Sequence, residues 1–316
     1  MNRYIRAFSR LLEGIEPLCQ HYGKGKTFFL CDALWAYIKY GVTPNEYLGF
    51  QFYRFSHLER ARFYTARISY KYEKRFNDAK YYNTFWQKEK TNEKFQRFVK
   101  RDWLYAPTAS DEDISHFLKN HDKVLVKPSD MSSGRGIHLY DGESIDDLRH
   151  TKSLLEQFVV QHHLMSMLNP SSVNTVRVYT IMGKDASLLP HILSVTIRVG
   201  GSKACVDNYH AGGVAYPVDV KTGVVKAAGT DIKGQEYLYS PTTNFKMIGF
   251  ELPHYEQMKT YIDELCHVIP TARLVAWDIA IVEDGFELIE ANYDGDPGLM
   301  QSPTKIGMLP IIRQYL

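Results

Sequence analysis

The sequence lacks several features, and each absence narrows what the protein can be. Its four cysteines are scattered without paired spacing, which argues against a disulfide scaffold and against a zinc site. No apolar run approaches the roughly 20 residues of a membrane-spanning helix, and the N-terminus has no apolar signal segment. We therefore expect a cytoplasmic protein with reduced cysteines, at most peripheral to the inner membrane surface.

An overall net charge of only +2 conceals an uneven distribution. Residues 54–101 carry fourteen Lys and Arg against five Asp and Glu, interleaved with aromatic residues. Such a segment suits an anionic membrane surface, a lipid-linked sugar or another phosphorylated ligand, and the simpler interpretation is a solvated helical face. No nucleic-acid recognition motif accompanies it, so no nucleic-acid partner is expected. Arg97, Lys100 and Arg101 are the predicted contacts to a phosphate of the acceptor substrate.

The periodicity of the sequence changes near residue 105. Helical spacing dominates before it, beginning with a segment over residues 4–15 that either covers a domain or lies on a membrane surface. After it, a helix is predicted over residues 254–268, and strands are predicted over DKVLVKP, LLEQFVV, NTVRVYTIM, PHILSVTIRV, VAWDIAIV and FELIEAN. The sequence therefore predicts an α+β region, residues 105–316, preceded by a helical, basic and aromatic region, residues 1–104.

Two of the predicted strands, over residues 279–282 and 286–289, form a hairpin. A three-residue turn with Gly285 in a left-handed conformation would set its register. That register pairs Val282 with Phe286, Ala280 with Leu288, and Asp278 with Glu290. The two carboxylates would then lie about 5 Å apart, and at an effective dielectric near 20 they would repel by roughly 3 kcal/mol.

A divalent cation between the two acids would convert this repulsion into coordination. Asn292 points to the same face as Glu290, so Asp278, Glu290 and Asn292 offer three hard oxygen ligands. That set suits Mg²⁺ together with phosphate oxygens. A register one residue off would instead turn one carboxylate to solvent.

A phosphate site to accompany such a metal is predicted in DKVLVKPSDMSSGRGI. Its strand ends in Lys127. The side chain of Lys127 leaves the strand from a packed face, so its positive charge needs an anionic partner. The Ser/Gly-rich loop over residues 129–136 can direct backbone N–H groups to an anion, although such hairpin loops are common. Further on, Arg177 and Arg198 lie on the polar faces of strands, where either a phosphate or a structural carboxylate would pair with them.

Taken in order, these residues resemble the ATP-grasp superfamily: Lys127, the Ser/Gly loop, Glu156-Gln-Phe-Val, Arg177, Asp278 and Glu290-x-Asn292. More narrowly, NTVRVYT, VDNYHAGGVAYPVD, WDIAI and LIEANYDGDPG resemble the sugar-transfer-associated ATP-grasp group, which is associated with surface-polysaccharide (capsule) biosynthesis. The resemblance covers about the last two-thirds of the chain. It implies an ATP-grasp fold whose two α+β lobes, residues 105–160 and 161–316, clasp ATP.

The resemblance also implies roles for individual residues. The implied ATP site comprises Lys94, Lys127, Ser132, Ser133, Gly134, Arg135, Gly136, Glu156, Gln157, Phe158, Val159 and His163. Its lysines and loop would contact the phosphates, while Glu156 and the backbone around Phe158 would read the adenine. Mg²⁺, or Mn²⁺ in its place, would be held by Asp278, Glu290 and Asn292. The implied catalytic residues are Arg177 and His210, and the implied acceptor side comprises Asn208, Gly212, Gly213 and Arg198.

The reaction that the resemblance implies is carboxylate–amine ligation on small or sugar-linked substrates. A carboxylate attacks the γ-phosphate of ATP to form an acyl phosphate, and an amine then displaces phosphate, leaving an amide and ADP. One alternative is an ATP-grasp kinase that phosphorylates a hydroxyl, with Asp207 or His210 as general base. Another is a nucleotide-binding adaptor of a glycosyltransferase complex, without turnover.

The sequence departs from the superfamily in two places. Gln161, His162 and His163 stand where an acid often contacts the ribose. The basic helical region replaces the α/β domain that usually precedes the two lobes, so the resemblance says least about the acceptor.

Overall fold

A computed structural model describes residues 3–131, 136–185, 189–201, 209, 212–293 and 295–316, with side chains from residue 8 onward. The helices are α1 (Arg3–Tyr22), α2 (Lys26–Tyr40), α3 (Pro44–Gly49), α4 (His57–Arg60), α5 (Ala66–Phe76), α6 (Tyr82–Trp86), α7 (Lys88–Lys94), α8 (Asp111–Asn120), α9 (Ile145–His150), α10 (His163–Ser166), α11 (Tyr255–Val268), α12 (Pro297–Gln301) and α13 (Leu309–Arg313). The strands are β1 (Trp103–Tyr105), β2 (Val124–Pro128), β3 (His138–Leu139), β4 (Ser153–Gln157), β5 (Thr175–Ile181), β6 (His191–Val199), β7 (Val214–Val218), β8 (Gly229–Thr230), β9 (Glu236–Tyr237), β10 (Leu274–Val282) and β11 (Gly285–Asn292). This is the predicted α+β fold with a helical N-terminal region, which is confirmed.

The first sheet has the strand order β1-β4-β2-β3, with every neighbouring pair antiparallel. Val126 and Leu155 pack with Phe117 of α8 in the core on one face. Because side chains alternate along a strand, Leu125 and Lys127 of β2 lie on the opposite face. That face forms part of the cavity described below.

The second sheet has the order β11-β10-β5-β6-β7-β8-β9, again with antiparallel neighbours. The interior strand β5 is buried along its whole length, because both faces of the sheet are covered. Met258 and Ile262 of α11 contribute to one core cluster, and Leu299 of α12 and Ile312 of α13 contribute to the other.

The N-terminal helices belong to two different cores. α1 to α3 share an aromatic-rich cluster that includes Phe50 and Phe63. The following segment joins the second sheet instead, with Phe76 in one of its core clusters and Phe85 and Phe95 in the other. The sequence pattern changes near residue 105, yet much of residues 64–99 packs as part of the second sheet's core.

The basic charges of residues 54–101 do not form a single patch. Arg60 is buried against Asp32, with an N–O distance of 2.7 Å. Arg101 is also buried, whereas Arg97 pairs with Glu264 on the surface at 3.3 Å. No helix among the described residues is long and apolar enough to span a bilayer.

The turn of the β10–β11 hairpin differs from the predicted one. Val282 pairs with Gly285 and not with Phe286, so the turn contains two residues rather than three. Ala280 likewise pairs with Glu287, one residue before its predicted partner Leu288. Gly285 has φ 136° at the start of β11, so it opens the strand instead of completing the turn. These two predicted pairs are therefore wrong.

A β-bulge restores the pairing of the two acids. The register shifts by one residue between Ile279 and Asp278, which leaves Ile289 as the extra residue on β11. Asp278 and Glu290 are consequently paired, as predicted.

Candidate functional site

A cavity of about 690 Å³ is lined by both sheets and by the N-terminal helices. Its walls come from β2 and β4 of the first sheet, from β5, β6, β10 and β11 of the second, and from α3, α5, α6, α7 and α12. Among the described residues, the cavity brings together eleven of those predicted to bind ligands: Arg101, Lys127, Glu156, Gln157, Phe158, Val159, Arg177, Arg198, Asp278, Glu290 and Asn292.

Lys127 lies on the cavity face of β2 and is only 7% exposed. Its ammonium pairs with Oε2 of Glu156 on the neighbouring strand β4. Burial opposes ionisation of Glu156, but the charges of Arg101 and Lys127 outweigh it and hold the pKa of that carboxyl below its usual range. Glu156 is thus a buried carboxylate whose two oxygens both face cations.

Arg101 connects the two sheets. Its Nη2 donates to Oε1 of Glu156 on β4 at 2.6 Å, and its Nη1 donates to Oε1 of Glu287 on β11 at 2.7 Å. Asn92 donates a further hydrogen bond to Glu156 at 3.0 Å, and the backbone N–H of Lys100 donates to both oxygens of Glu287. The sequence predicted Arg101 as a contact to the acceptor phosphate, whereas its guanidinium is already engaged by two buried acids.

Asp278 on β10 is paired with two arginines. Nε of Arg177 donates to its Oδ1 at 2.6 Å, Nη2 of Arg177 donates to its Oδ2, and Nη1 of Arg198 donates to the same Oδ2 at 2.7 Å. Burial disfavours the charge of Asp278, but the two guanidiniums hold the pKa of its carboxyl below its usual range. These two arginines therefore offset the repulsion between Asp278 and Glu290. The sequence predicted a divalent metal ion in that role.

The predicted metal ligands still offer a set of hard oxygens. Glu290 and Asn292 lie two residues apart on β11, beside Asp278 of β10, and all three line the cavity. Oδ1 of Asp278 accepts one bond from Arg177 and retains a second lone pair. The donor set therefore fits one Mg²⁺, with Glu290 as the principal anionic ligand.

Lys88 is a cavity residue that the sequence did not single out. It begins α7, and its ammonium holds the start of the Ser/Gly loop by donating to backbone carbonyls. Those carbonyls belong to Pro128 (3.1 Å), Ser129 (3.3 Å) and Met131. Burial lowers the pKa of Lys88, although the charge of Glu290 opposes that shift.

Lys94, predicted as the earlier phosphate-side lysine, ends the same helix on its exposed side. It is not among the residues that line the cavity. Both lysines stand in one basic run, and only the packing of α7 distinguishes them. The local sequence therefore indicated that a lysine of this helix lies near the phosphates, but it did not indicate which lysine.

The end of β4 gives the cavity an apolar wall that includes Leu125, Phe158 and Val159. The backbone N–H groups of Gln157 and Phe158 are engaged, because they donate to the carbonyls of Asp102 (2.9 Å) and Lys123 (3.1 Å). Val159 is the first residue of this segment whose N–H has no such backbone partner among the described residues. The N–H of Val159 is therefore the first one in this segment that could donate to the edge of a purine. Recognition of the adenine by this segment stays a prediction.

The other predicted residues lie outside the cavity or outside the described residues. His163 is exposed and pairs with Glu283 at 3.0 Å. Gly136 and Gly212 adopt φ values of 73° and 98°, and Gly213 is buried just before β7. The predicted residues outside the described part of the chain are Ser132, Ser133, Gly134, Arg135, Asp207, Asn208 and His210.

The N-terminal helices supply a further wall that the sequence did not predict, including Glu46, Tyr70 and Glu73. Glu46 is 5% exposed, and its Oε1 accepts the backbone N–H of Ala66 at 2.8 Å. Burial raises the pKa of Glu46 to about 7, and the charge of Asp296 acts in the same direction. These residues precede the stretch that carries the family resemblance, so the resemblance could not identify them.

Comparison with known proteins identifies one family. Residues 144–314, just over half of the chain, match the model of the family described as sugar-transfer associated ATP-grasp. No curated protein matches the sequence.

Several solved structures are similar to this chain. The ATP-grasp ligase PsnB, complexed with a precursor peptide and AMPPNP, has a TM-score of 0.47 and 11% identity, covering 78% of this chain and 65% of that chain. D-alanyl-alanine synthetase A from Vibrio cholerae has a TM-score of 0.40 and 12% identity, covering 73% and 60%. N5-carboxyaminoimidazole ribonucleotide synthetase from Thermus thermophilus has a TM-score of 0.43 and 12% identity, covering 72% and 51%. The chain thus spans less than two-thirds of the length of these three proteins, and function has to be argued from its own residues.

Proposed function

The chain belongs to the sugar-transfer-associated ATP-grasp family, and we propose that it is an ATP- and Mg²⁺-dependent ligase that joins a carboxylate to an amine. The observation that carries the proposal is one cavity lined by two kinds of group. Lys88 and Lys127 contribute buried or half-buried ammonium groups, while Glu290 and Asn292 contribute hard oxygens from β11. Cations together with metal ligands suit a triphosphate and its metal ion.

In this proposal the adenine lies against Leu125, Phe158 and Val159, and the phosphates extend toward Lys88 and Lys127. Glu290, Asn292 and Oδ1 of Asp278 would hold Mg²⁺. When bound, that ion supplies charge neutralisation at the phosphates and polarises the transferred phosphoryl group.

The chemistry needs few covalent contributions from the protein. An oxygen of the substrate carboxylate bonds to the γ-phosphorus while the bond between that phosphorus and the β–γ bridging oxygen breaks, releasing ADP. The amine first loses one proton from its ammonium form to water and then attacks the carbonyl carbon of the acyl phosphate. Phosphate departs with the oxygen that joined it to that carbon, and the second surplus amine proton passes to water. Arg177 and Arg198 would orient and stabilise the transferring phosphoryl group, since guanidinium groups pair well with phosphate.

We assign the acceptor to the wall formed by the N-terminal helices. Glu46 and Glu73 are acids of that wall, and Tyr70 and Tyr82 supply aromatic surface. Burial raises the pKa of Glu46 to about 7, and a cationic amine beside it would favour its ionised form, so this wall suits a cationic amine better than a second anion. The saccharide context follows from the family alone.

A substrate screen tests the proposal. The protein is incubated with ATP, Mg²⁺ and pairs of sugar acids or amino acids, with ADP release measured and products identified by mass. ADP release that requires both a carboxylate and an amine, with an amide product, supports the ligase. A phosphorylated hydroxyl product would instead indicate a kinase, and ATP binding without turnover would indicate an adaptor.

A further inference from the structure

Helix α2 presents an apolar surface to solvent. Phe28, Leu34, Tyr37 and Ile38 are between 47% and 64% exposed, and Cys31 is exposed among them. At 100° per residue, Phe28, Cys31, Leu34 and Ile38 lie on the outward half of the helix, opposite the buried residues Phe29, Ala33 and Ala36, and Tyr37 lies at the edge of this surface. A helix that is apolar on both its inner and outer sides needs a second cover besides the domain core.

Cations surround this surface. The ammonium of Lys24 lies 3.9 Å from the ring centre of Phe28, and that of Lys39 lies 4.7 Å from the ring centre of Trp35. Arg67 lies over Tyr37 and donates to the carbonyls of Tyr37 (2.7 Å) and Ile38 (2.9 Å). It is held there by close packing, because Gly41 has φ 73° and a Cβ at that position would come within 2.3 Å of Arg67.

The acid of α2 does not balance these cations. Asp32 is the acidic residue within the helix, and both of its carboxylate oxygens accept bonds from Arg60, at 2.7 and 2.9 Å. Tyr47 donates a third hydrogen bond to Asp32. The outward side of α2 therefore combines apolar residues with Lys24, Lys39 and Arg67 and without an exposed acid.

We propose that the outward side of α2 lies on an anionic lipid surface. Apolar and aromatic side chains would enter the boundary between headgroups and acyl chains, while Lys24, Lys39 and Arg67 would remain at the level of the anionic headgroups. A second copy of the chain fits less well, since a two-fold interface brings each surface against itself and would oppose these cations with cations. The proposal does not depend on the reaction that the cavity performs.

Vesicle flotation tests this placement with the full chain and phosphatidylcholine vesicles, with and without phosphatidylglycerol. We expect binding to the anionic vesicles only. It should weaken in 1 M salt, where the screening length falls to about 3 Å from about 8 Å at physiological ionic strength. Leu34→Glu/Ile38→Glu should reduce binding at least about tenfold by removing apolar contact. The rim variant Lys24→Ala/Lys39→Ala should reduce it by about fivefold for each cation removed.

A matched control adds the same two charges elsewhere. Leu189 and Leu238 are 76% and 53% exposed and lie outside α2 and the cavity, so Leu189→Glu/Leu238→Glu should bind vesicles like the unmodified protein. Circular dichroism and melting temperature verify that each variant is folded. Equal binding of all variants, or equal binding to neutral and anionic vesicles, would overturn the proposal. So would loss of a solution dimer in the α2 variant without any vesicle binding by the unmodified protein, which would identify a second copy as the cover.

Discussion

Replacing Arg101 with methionine would break the buried ion pairs that join the two sheets. The guanidinium bridges Glu156 and Glu287 at 2.6 and 2.7 Å, and the three side chains are 3%, 2% and 4% exposed. Removing one partner of a buried pair typically costs about 3–5 kcal/mol, because the other charge stays buried without compensation. Glu156 would keep Lys127, and Glu287 would keep the N–H of Lys100. We therefore expect a loss near that range and not twice as large.

A charge-balanced variant separates this cause from lost packing. Arg101→Met/Glu287→Gln removes one cation and one anion together, so it should be more stable than Arg101→Met alone. Denaturant unfolding of both variants gives the free energy of unfolding and its denaturant dependence. If Arg101→Met lowers the free energy of unfolding by less than about 1 kcal/mol, the range of an exposed pair, or if both variants lower it equally, an uncompensated buried charge is not the cause of the loss.

The pH dependence offers a second check on the same network. The folded-state pKa of Glu156 lies below its ordinary value of 4.5, so its ion pairs contribute fully above that value. The contribution is lost as the pH falls through the folded-state pKa. The unmodified protein should thus lose stability more steeply below pH 4.5 than Arg101→Met does, and parallel acid unfolding curves would contradict this.

Further predictions concern the cavity. Glu290→Gln should abolish turnover and leave the melting temperature unchanged, whereas Asp278→Asn should also lower it, because Arg177 and Arg198 lose their shared carboxylate; equal melting temperatures would count against this pairing. Lys127→Ala should raise the Kd of ATP more than that of adenosine in calorimetry, and equal weakening would place Lys127 outside the triphosphate site. Lys88→Ala should weaken ATP binding at least about tenfold, because it removes both a cavity cation and the hydrogen bonds that hold the start of the Ser/Gly loop, while Lys94→Ala should not. The unmodified protein should lose stability relative to Glu46→Gln as the pH rises from 4.5 to about 7, because the folded state holds the proton of Glu46 more tightly than the unfolded state does. If the free energy of unfolding of both proteins changes equally with pH over this range, the pKa of Glu46 is not raised.

Local patterns in the sequence predicted much of the architecture and several of the residues that line the cavity. Lys127 stood out because it is a single charge in an apolar strand, and the structure buries it on the cavity side of β2. The pairing of Asp278 with Glu290 was predicted through an incorrect turn. A turn one residue shorter than expected and a bulge at Ile289 cancel, so the acids meet nevertheless.

Long-range ion pairs could not be predicted in the same way. Nothing local to Arg101 indicates that it will meet Glu156 and Glu287, which lie 55 and 186 residues away in sequence. The same holds for the two arginines on Asp278, whose partnership depends on the order of β6, β5 and β10 in the sheet. The wall containing Glu46 arises where the N-terminal helices meet the rest of the fold, and a helical pattern alone does not say what a helix packs against.

Calorimetric titration with the non-hydrolysable nucleotide AMPPNP tests whether one cavity binds ATP together with Mg²⁺, through Lys127 on one wall and Glu290 on another. AMPPNP should bind with one-to-one stoichiometry and more tightly with Mg²⁺ than without it, and the gain from Mg²⁺ should disappear in Glu290→Gln while adenosine affinity is unchanged. Absence of AMPPNP binding would show that the cavity is not a nucleotide site, and a gain from Mg²⁺ that survives in Glu290→Gln would show that Glu290 does not hold the metal ion.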